Sequence, residues 1–109
     1  MTTTNMISPT QLNQLIGTPE CPVIFDVRRK DAFDLADRII ATAEWRDHER
    51  AAQWAAGLPQ GAAVVVYCVH GHEVSQGAAE ALRQAGVDAR FLEGGIEAFI
   101  EAGGETAAK

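Results

Sequence analysis

Short apolar runs alternate with amphipathic stretches along this chain, and the alternation places most of its elements. Val23-Ile-Phe-Asp26 is a compact apolar run that predicts a buried strand. Ala62-Ala-Val-Val-Val-Tyr-Cys68 is longer, continuous and rich in β-branched residues, as a central parallel strand covered on both faces should be. Ala89-Arg-Phe-Leu92 reads as another strand, and a brief one is placed near 43–45 within the ambiguous segment 38–45. Ser8-Pro9 opens a helix, with serine as N-cap and proline at the first helical position, and Gly17 stops it. A charged stretch, 28–31, leads into a short helix over 32–36. Asp47 caps a helix over roughly 49–56 that Gly57 and Pro59 end. Ala78, Leu82 and Ala85 fall near helical spacing in a clear helix closed by Gly86. Gly94-Gly95 is a tight turn before a last helix over 96–102.

Strands alternating with helices on short connections imply an α/β domain with a mostly parallel sheet and right-handed crossovers. In such sheets the functional groups lie beyond the carboxyl ends of the central strands. Cys68 sits at that end of the most buried strand.

The chain's 109 residues suffice for one domain, assigned to 6–104, with 1–5 and 105–109 as loose termini. At 47% apolar and 22% charged it is ordinary globular material. The net charge of −6 argues against nucleic acid as a partner. No apolar run approaches the ~20 residues of a membrane span. The opening Met-Thr-Thr-Thr-Asn lacks the basic and apolar stretches of a secretory signal. Cys21 and Cys68 are too few for a disulfide framework or a four-thiolate zinc site. The expectation is a cytoplasmic domain with free thiols and no membrane partner.

The segment Tyr67-Cys-Val-His-Gly-His-Glu-Val-Ser75 sets a thiol between a strand end and a helix start. That arrangement turns unpaired backbone amides and the positive end of a helix dipole toward the sulfur. Such a cradle favours thiolate and would hold an anionic group carried on the sulfur, such as a persulfide. Gly71 suits a loop that curls back over its own amides. The plainer alternative is a cysteine that merely ends a buried strand.

Val64-Val-Val-Tyr-Cys68, the glycine-containing loop, the Ala-rich helix, Phe91-Leu-Glu-Gly-Gly95 and Phe99 together resemble a single-domain rhodanese. Val23-Ile-Phe-Asp-Val-Arg28 resembles the family's Asp-x-Arg at the end of an early strand. The resemblance implies a three-layer sandwich with a central five-stranded, mostly parallel sheet flanked by helices. It implies that Cys68 is the catalytic, sulfur-carrying residue and that Val69, His70, Gly71, His72, Glu73 and Val74 form the loop that binds the persulfide. The implied reaction takes a sulfane sulfur from thiosulfate or a small-molecule or protein persulfide and passes it to a thiol or cyanide-type acceptor. No metal or organic cofactor is implied.

Three features depart from the family pattern. The loop lacks Lys and Arg, and Glu73 would repel a dianionic donor, while His70 and His72 could attract one when protonated. The loop also reads as slightly longer than sulfurtransferases carry, as in related phosphatases and arsenate reductases. Those enzymes need an arginine at its end to bind an oxyanion bidentately, and Val74 stands there instead. Finally, Asp37-Arg-Ile-Ile-Ala-Thr-Ala43 keeps only the Ile and final Ala of the family's Gly-His-Ile-Pro-Gly-Ala type segment.

Other candidates have competing readings. Cys68, His70 and His72 would suit zinc or copper, but a closed site wants four ligands and His48 is the only other histidine. The two loop histidines either tune the thiol or shuttle a proton, or are simply solvated. Asp26 and Arg28 serve as supporting residues that lock loops together. Arg29, Lys30 and Arg46 either supply the positive field that the loop lacks or are solvated. Trp45 and Trp54 belong in the core or the pocket wall. Cys21 is a spare thiol unless the fold brings it within bonding distance of Cys68. The leading function is sulfur transfer; the alternatives are a non-catalytic, partner-binding rhodanese-like module or an oxyanion enzyme.

Overall fold

A computed structural model describes residues 5–59 and 61–109. Five parallel strands form the central sheet in the order β1-β6-β5-β2-β4. They are β1 (Met6–Ile7), β2 (Val23–Asp26), β4 (Glu44–Trp45), β5 (Ala63–Tyr67) and β6 (Asp88–Leu92). Two further strands, β3 (Arg38–Ile40) and β7 (Thr106–Ala108), pair antiparallel as a separate ribbon. The helices are α1 (Pro9–Leu15), α2 (Lys30–Leu35), α3 (Ala51–Ala55), α4 (Glu73–Gln84) and α5 (Gly95–Glu101), with a 3-10 turn at His48–Arg50 before α3.

The central strand explains the two-layered core. Val64, Val65, Val66 and Tyr67 are all buried, and their side chains alternate between faces. Val64 and Val66 pack with Phe25, Ala51, Ala55, Ala78 and Leu82 on one side. Val65 and Tyr67 pack with Ile7, Leu12, Ile24, Leu92 and Phe99 on the other. A strand buried on both faces thus reads as continuously apolar, as expected from the sequence. Ser8 caps α1 in a full capping box with Gln11, and Asp47 accepts the Glu49 amide.

One expectation needs correction. The segment 105–109 is not a loose end: β7 pairs with β3, Arg38 donates to Thr106, and Lys109 reaches the carbonyls of Phe33 and Ala36. Thr-Ala-Ala carries no apolar pattern of its own, so only its distant partner makes it a strand. The loose N-terminus expected over 1–5 lies, for 1–4, outside the described residues.

The ribbon carries a strained residue. Thr42, in the turn after β3, is the only non-glycine residue with positive φ among the described residues, at φ 70. With Ile40 and Ala43 set on the family's Gly-His-Ile-Pro-Gly-Ala pattern, Thr42 occupies the second glycine's position. A β-branched side chain in the left-handed region costs about 1–2 kcal/mol.

Candidate active site

The carboxyl ends of β5, β2 and β6 gather Cys68, the Asp26-Val-Arg28 segment and Gly94-Gly95 at one edge of the sheet. Cys68 directly follows β5 and is 7% exposed. Residues 69–72 then curl into α4, which starts at Glu73. Glu73 and Val74 are therefore the first helical turn rather than loop, a correction to the expected loop over 69–74. Val74 is half-buried and packs against the core.

Glycines let two backbones meet beneath the loop. Gly71 has φ +75, and a Cβ there would lie 2.7 Å from the Gly94 nitrogen and 2.8 Å from the Leu92 oxygen. A Cβ on Gly95 (φ +66) would lie 2.5 Å from the Cys68 oxygen and 2.3 Å from that of Val69. The close approach lets Ile96 donate its amide to the Cys68 carbonyl (3.0 Å) and Glu97 to the Val69 carbonyl (3.2 Å). The Gly71 carbonyl accepts from Gln76 Nε2 at 2.9 Å.

The carbonyls of Cys68, Val69 and Gly71 are thus engaged while amides stay open. Among the described residues, no protein acceptor takes the amides of 69–72, and those of 73–75 form the open first turn of α4. A run of free amides at a helix start is an anion-binding arrangement. None of them bonds Cys68 Sγ itself. Among the described residues its one hydrogen bond is to Ser75 Oγ, at 3.2 Å.

A cleft of about 350 Å³ opens over the loop, walled by Arg28, Arg29 and Ala32 on one side and by Cys68, Val69, His70, His72, Glu73 and Val74 on the other. Of the three cations considered from the sequence, only Arg29 reaches it. Lys30 pairs with Asp34 and Arg46 with Glu44. The Arg29 guanidinium takes no protein acceptor among the described residues. His70 Nε2 lies 3.0 Å from Glu97 Oε1, an exposed pair of small energetic weight. The His70 and His72 rings are 6.1 Å apart, and no set of three His, Cys, Asp or Glu side chains suited to a metal forms among the described residues.

Asp26 and Arg28 make a different kind of centre. Both are buried, and Arg28 Nε donates to Asp26 Oδ2 (2.8 Å) while its Nη2 also bonds that oxygen and the Arg38 carbonyl. Tyr67 donates to Asp26 Oδ2 at 3.0 Å and accepts the Ile40 amide at 3.1 Å. Trp45 Nε1 donates to the Arg28 carbonyl at 2.8 Å. The network ties β2, β3, β4 and β5 together at the active end of the sheet. Burial, reinforced by the Asp26 carboxylate, pushes the Tyr67 hydroxyl above its ordinary value, so it remains a neutral donor.

The tryptophans divide. Trp54 packs on Phe25 with ring centres 4.9 Å apart, while Trp45 borders a second cleft lined also by Arg29, just before α2, and by Lys30 at its start. Cys21 lies two residues before Val23, which is in register with Val64, so roughly 20 Å of strand rise separates it from Cys68. No disulfide can span that distance.

Ser75 and Tyr67 escaped the sequence reading. Ser75 does carry a signal: with Ala78, Ala79 and Leu82 it completes an i, i+3, i+4, i+7 buried stripe. A serine on that apolar stripe, one helical turn from the cysteine loop, calls for a buried partner.

No helix is long and apolar enough to cross a membrane among the described residues. Comparison with curated proteins gives no match. Among solved structures, a rhodanese-related protein from Thermoplasma volcanium aligns with TM-score 0.79 and 25% identity, over 94% of this chain and 97% of its own. The rhodanese-like domain of an Anabaena protein aligns with TM-score 0.82 and 22% identity, over 98% of this chain and 81% of its own. A Rhodopseudomonas palustris protein of unknown function, described as a possible tyrosine phosphatase, aligns with TM-score 0.79 and 22% identity, over 94% and 84%. The sequence profile of the rhodanese-like domain matches residues 8–102. With that match over most of its length, the chain belongs to the rhodanese-like domain family.

Proposed function

We propose that the protein is a sulfurtransferase in which Cys68 carries the sulfur as a persulfide. The observation that carries this reading is that Cys68 lines a cleft together with Val69, His70, His72, Glu73 and Val74, whose amides take no protein acceptor among the described residues. In the first half-reaction the Cys68 thiolate attacks the sulfane sulfur of the donor. An Sγ–S bond forms, the donor's S–S bond breaks, and the donor's remaining thiolate or sulfite leaves with the electron pair. In the second, an acceptor thiolate or cyanide attacks the outer sulfur and Cys68 departs as thiolate. The free amides suit the negative charge on the outer sulfur. Asp26 and Arg28 act by fixing the strand ends around the loop.

A thiol persulfide is the favoured donor over thiosulfate. The cleft greatly exceeds a small dianion in size, and Glu73 on its wall opposes double negative charge. Arg29 suits a single carboxylate or similar anion on a larger donor. A phosphatase or arsenate-reductase reading has Val74 where chemistry needs a guanidinium fork. A non-catalytic module would have no use for the buried thiol under open amides.

The test is turnover with thiosulfate, a glutathione-type persulfide and an aryl phosphate. The expected result is sulfur transfer to a thiol or cyanide, fastest from the persulfide and absent in Cys68→Ser. Phosphate release without sulfur transfer would replace the proposal with the oxyanion reading, and no turnover of any donor would remove it.

A further inference from the structure

The buried hydroxyl of Ser75 has one hydrogen-bond partner among the described residues, the sulfur of Cys68, at 3.2 Å. Ser75 is fully buried in the first turn of α4, beneath the cysteine and facing the sheet with Ala78 and Leu82. A buried hydroxyl loses free energy unless it is bonded, so this contact is specific rather than incidental. A hydroxyl is also reversible: it accepts from a thiol and, by rotating its proton, donates to a thiolate.

We infer that Ser75 is a catalytic residue that holds the negative charge on Cys68 Sγ in both half-reactions, leaving the amides of the loop to the outer sulfur. The inference rests on the sulfur-transfer reading for its chemical step but not for its first test. In the resting thiol, Sγ–H donates to Ser75 Oγ. On ionisation the thiol proton leaves to solvent through the cleft, and Ser75 turns its own O–H onto Sγ. During attack on the donor, the electron pair on Sγ becomes the new Sγ–S bond and the hydrogen bond weakens. During discharge, the pair of the breaking Sγ–S bond returns to Sγ, and the bond from Ser75 strengthens as charge develops. A donor bond that grows with charge on the leaving atom lowers the barrier to discharge more than it aids binding. The step needs no outside oxidant or reductant.

The two sulfurs of the persulfide would then have separate partners. The inner one sits on a side-chain hydroxyl inside the core face of α4, and the outer one faces backbone amides open to the cleft. Mutation can address the first without touching the second.

The experiment compares wild type with Ser75→Ala and Ser75→Thr, and with Ser75→Val as the isosteric control for threonine should alanine fail to fold. The pH midpoint of Cys68 alkylation by iodoacetamide is measured first, because it needs no sulfur donor. It is expected to rise by about one pH unit in the variants lacking a hydroxyl and to return toward wild type in Ser75→Thr, matching a charge-assisted hydrogen bond. Single-turnover discharge of preformed persulfide is expected to slow about tenfold in Ser75→Ala, with KM for the donor changed far less than kcat. Thermal melting separates these effects from unfolding. An unchanged alkylation midpoint together with discharge within twofold of wild type would overturn the role of Ser75. If no persulfide forms even on wild type, the sulfur-transfer reading fails while the alkylation series still decides the serine.

Discussion

Tyr67 and Cys68 are neighbours in sequence at the end of the same buried strand, yet they open onto opposite kinds of polar environment. Tyr67 closes a network in which Asp26, Arg28, the Ile40 amide and the Arg38 carbonyl all find partners. Cys68 faces a loop in which α5 takes the carbonyls of Cys68 and Val69 and α4 those of Gly71 and His72, while among the described residues the amides of 69–72 have no protein acceptor. A satisfied buried network resists change and holds strand ends in place; an unsatisfied one beside a cleft is built to receive something. Scaffold and site are thus told apart by which donors and acceptors are spoken for, although one peptide bond joins them.

Mutations should separate the two regions. Cys68→Ser is expected to abolish sulfur transfer entirely while leaving urea unfolding close to wild type, because the change is small and the scaffold is untouched. Arg28→Ala should do the reverse first. It leaves the Asp26 carboxylate buried without its partner and is expected to destabilise the protein by about 3–5 kcal/mol in chemical denaturation. The same midpoint and activity after Arg28→Ala would show that the network does not hold the site.

Tyr67→Phe sharpens the comparison through pH. At neutral pH it removes the hydroxyl that joins Asp26 to the Ile40 amide, an expected loss of about 1–3 kcal/mol. The native hydroxyl titrates above its ordinary value because it is buried and beside Asp26, so the folded protein keeps a proton that the unfolded chain releases near pH 10. The tyrosine's stabilising effect is therefore whole below pH 10 and shrinks as pH rises beyond it. Thermal melts across pH 9–11 should show a steeper alkaline decline in wild type than in Tyr67→Phe; parallel curves would contradict the assignment.

The smallest effect concerns the cleft wall. Arg29→Ala is expected to raise KM for an anionic persulfide a few-fold, with kcat nearly constant and the difference reduced by salt, as for an exposed charge that steers rather than reacts. Equal KM values in high and low salt would remove Arg29 from donor binding.

Most of the sheet was legible because its strands are buried on both faces and therefore written in apolar runs, as in Val64-Val-Val66. The site was legible where a residue's chemistry is rare, at Cys68, and where backbone needs glycine, at Gly71 and Gly95. What stayed hidden depends on distant partners. β7 is a strand only through β3, and Asp26 meets Tyr67 only because β2 and β5 pair in register. Arg29, Lys30 and Arg46 are equal candidates in sequence for a cation near the loop, and only the fold singles out Arg29 as a cleft residue. Arg29 comes from the turn after β2, and nothing in its local sequence says that it overlooks Cys68. The start of α4 at Glu73 is hard to see in sequence, because His72 at its N-cap makes no side-chain capping bond. Thr42 is invisible to hydropathy altogether, since its strain lies in the backbone.

The central claim is that Cys68 carries sulfur, and the most direct measurement is the intact mass of the protein after incubation with a thiol persulfide, followed by peptide mapping. The expected result is a gain of one sulfur atom on the peptide containing Cys68, removed by cyanide or excess thiol and absent in Cys68→Ser. An unchanged mass with every sulfur donor, or a cyanide-labile sulfur carried on Cys21 instead, would contradict it.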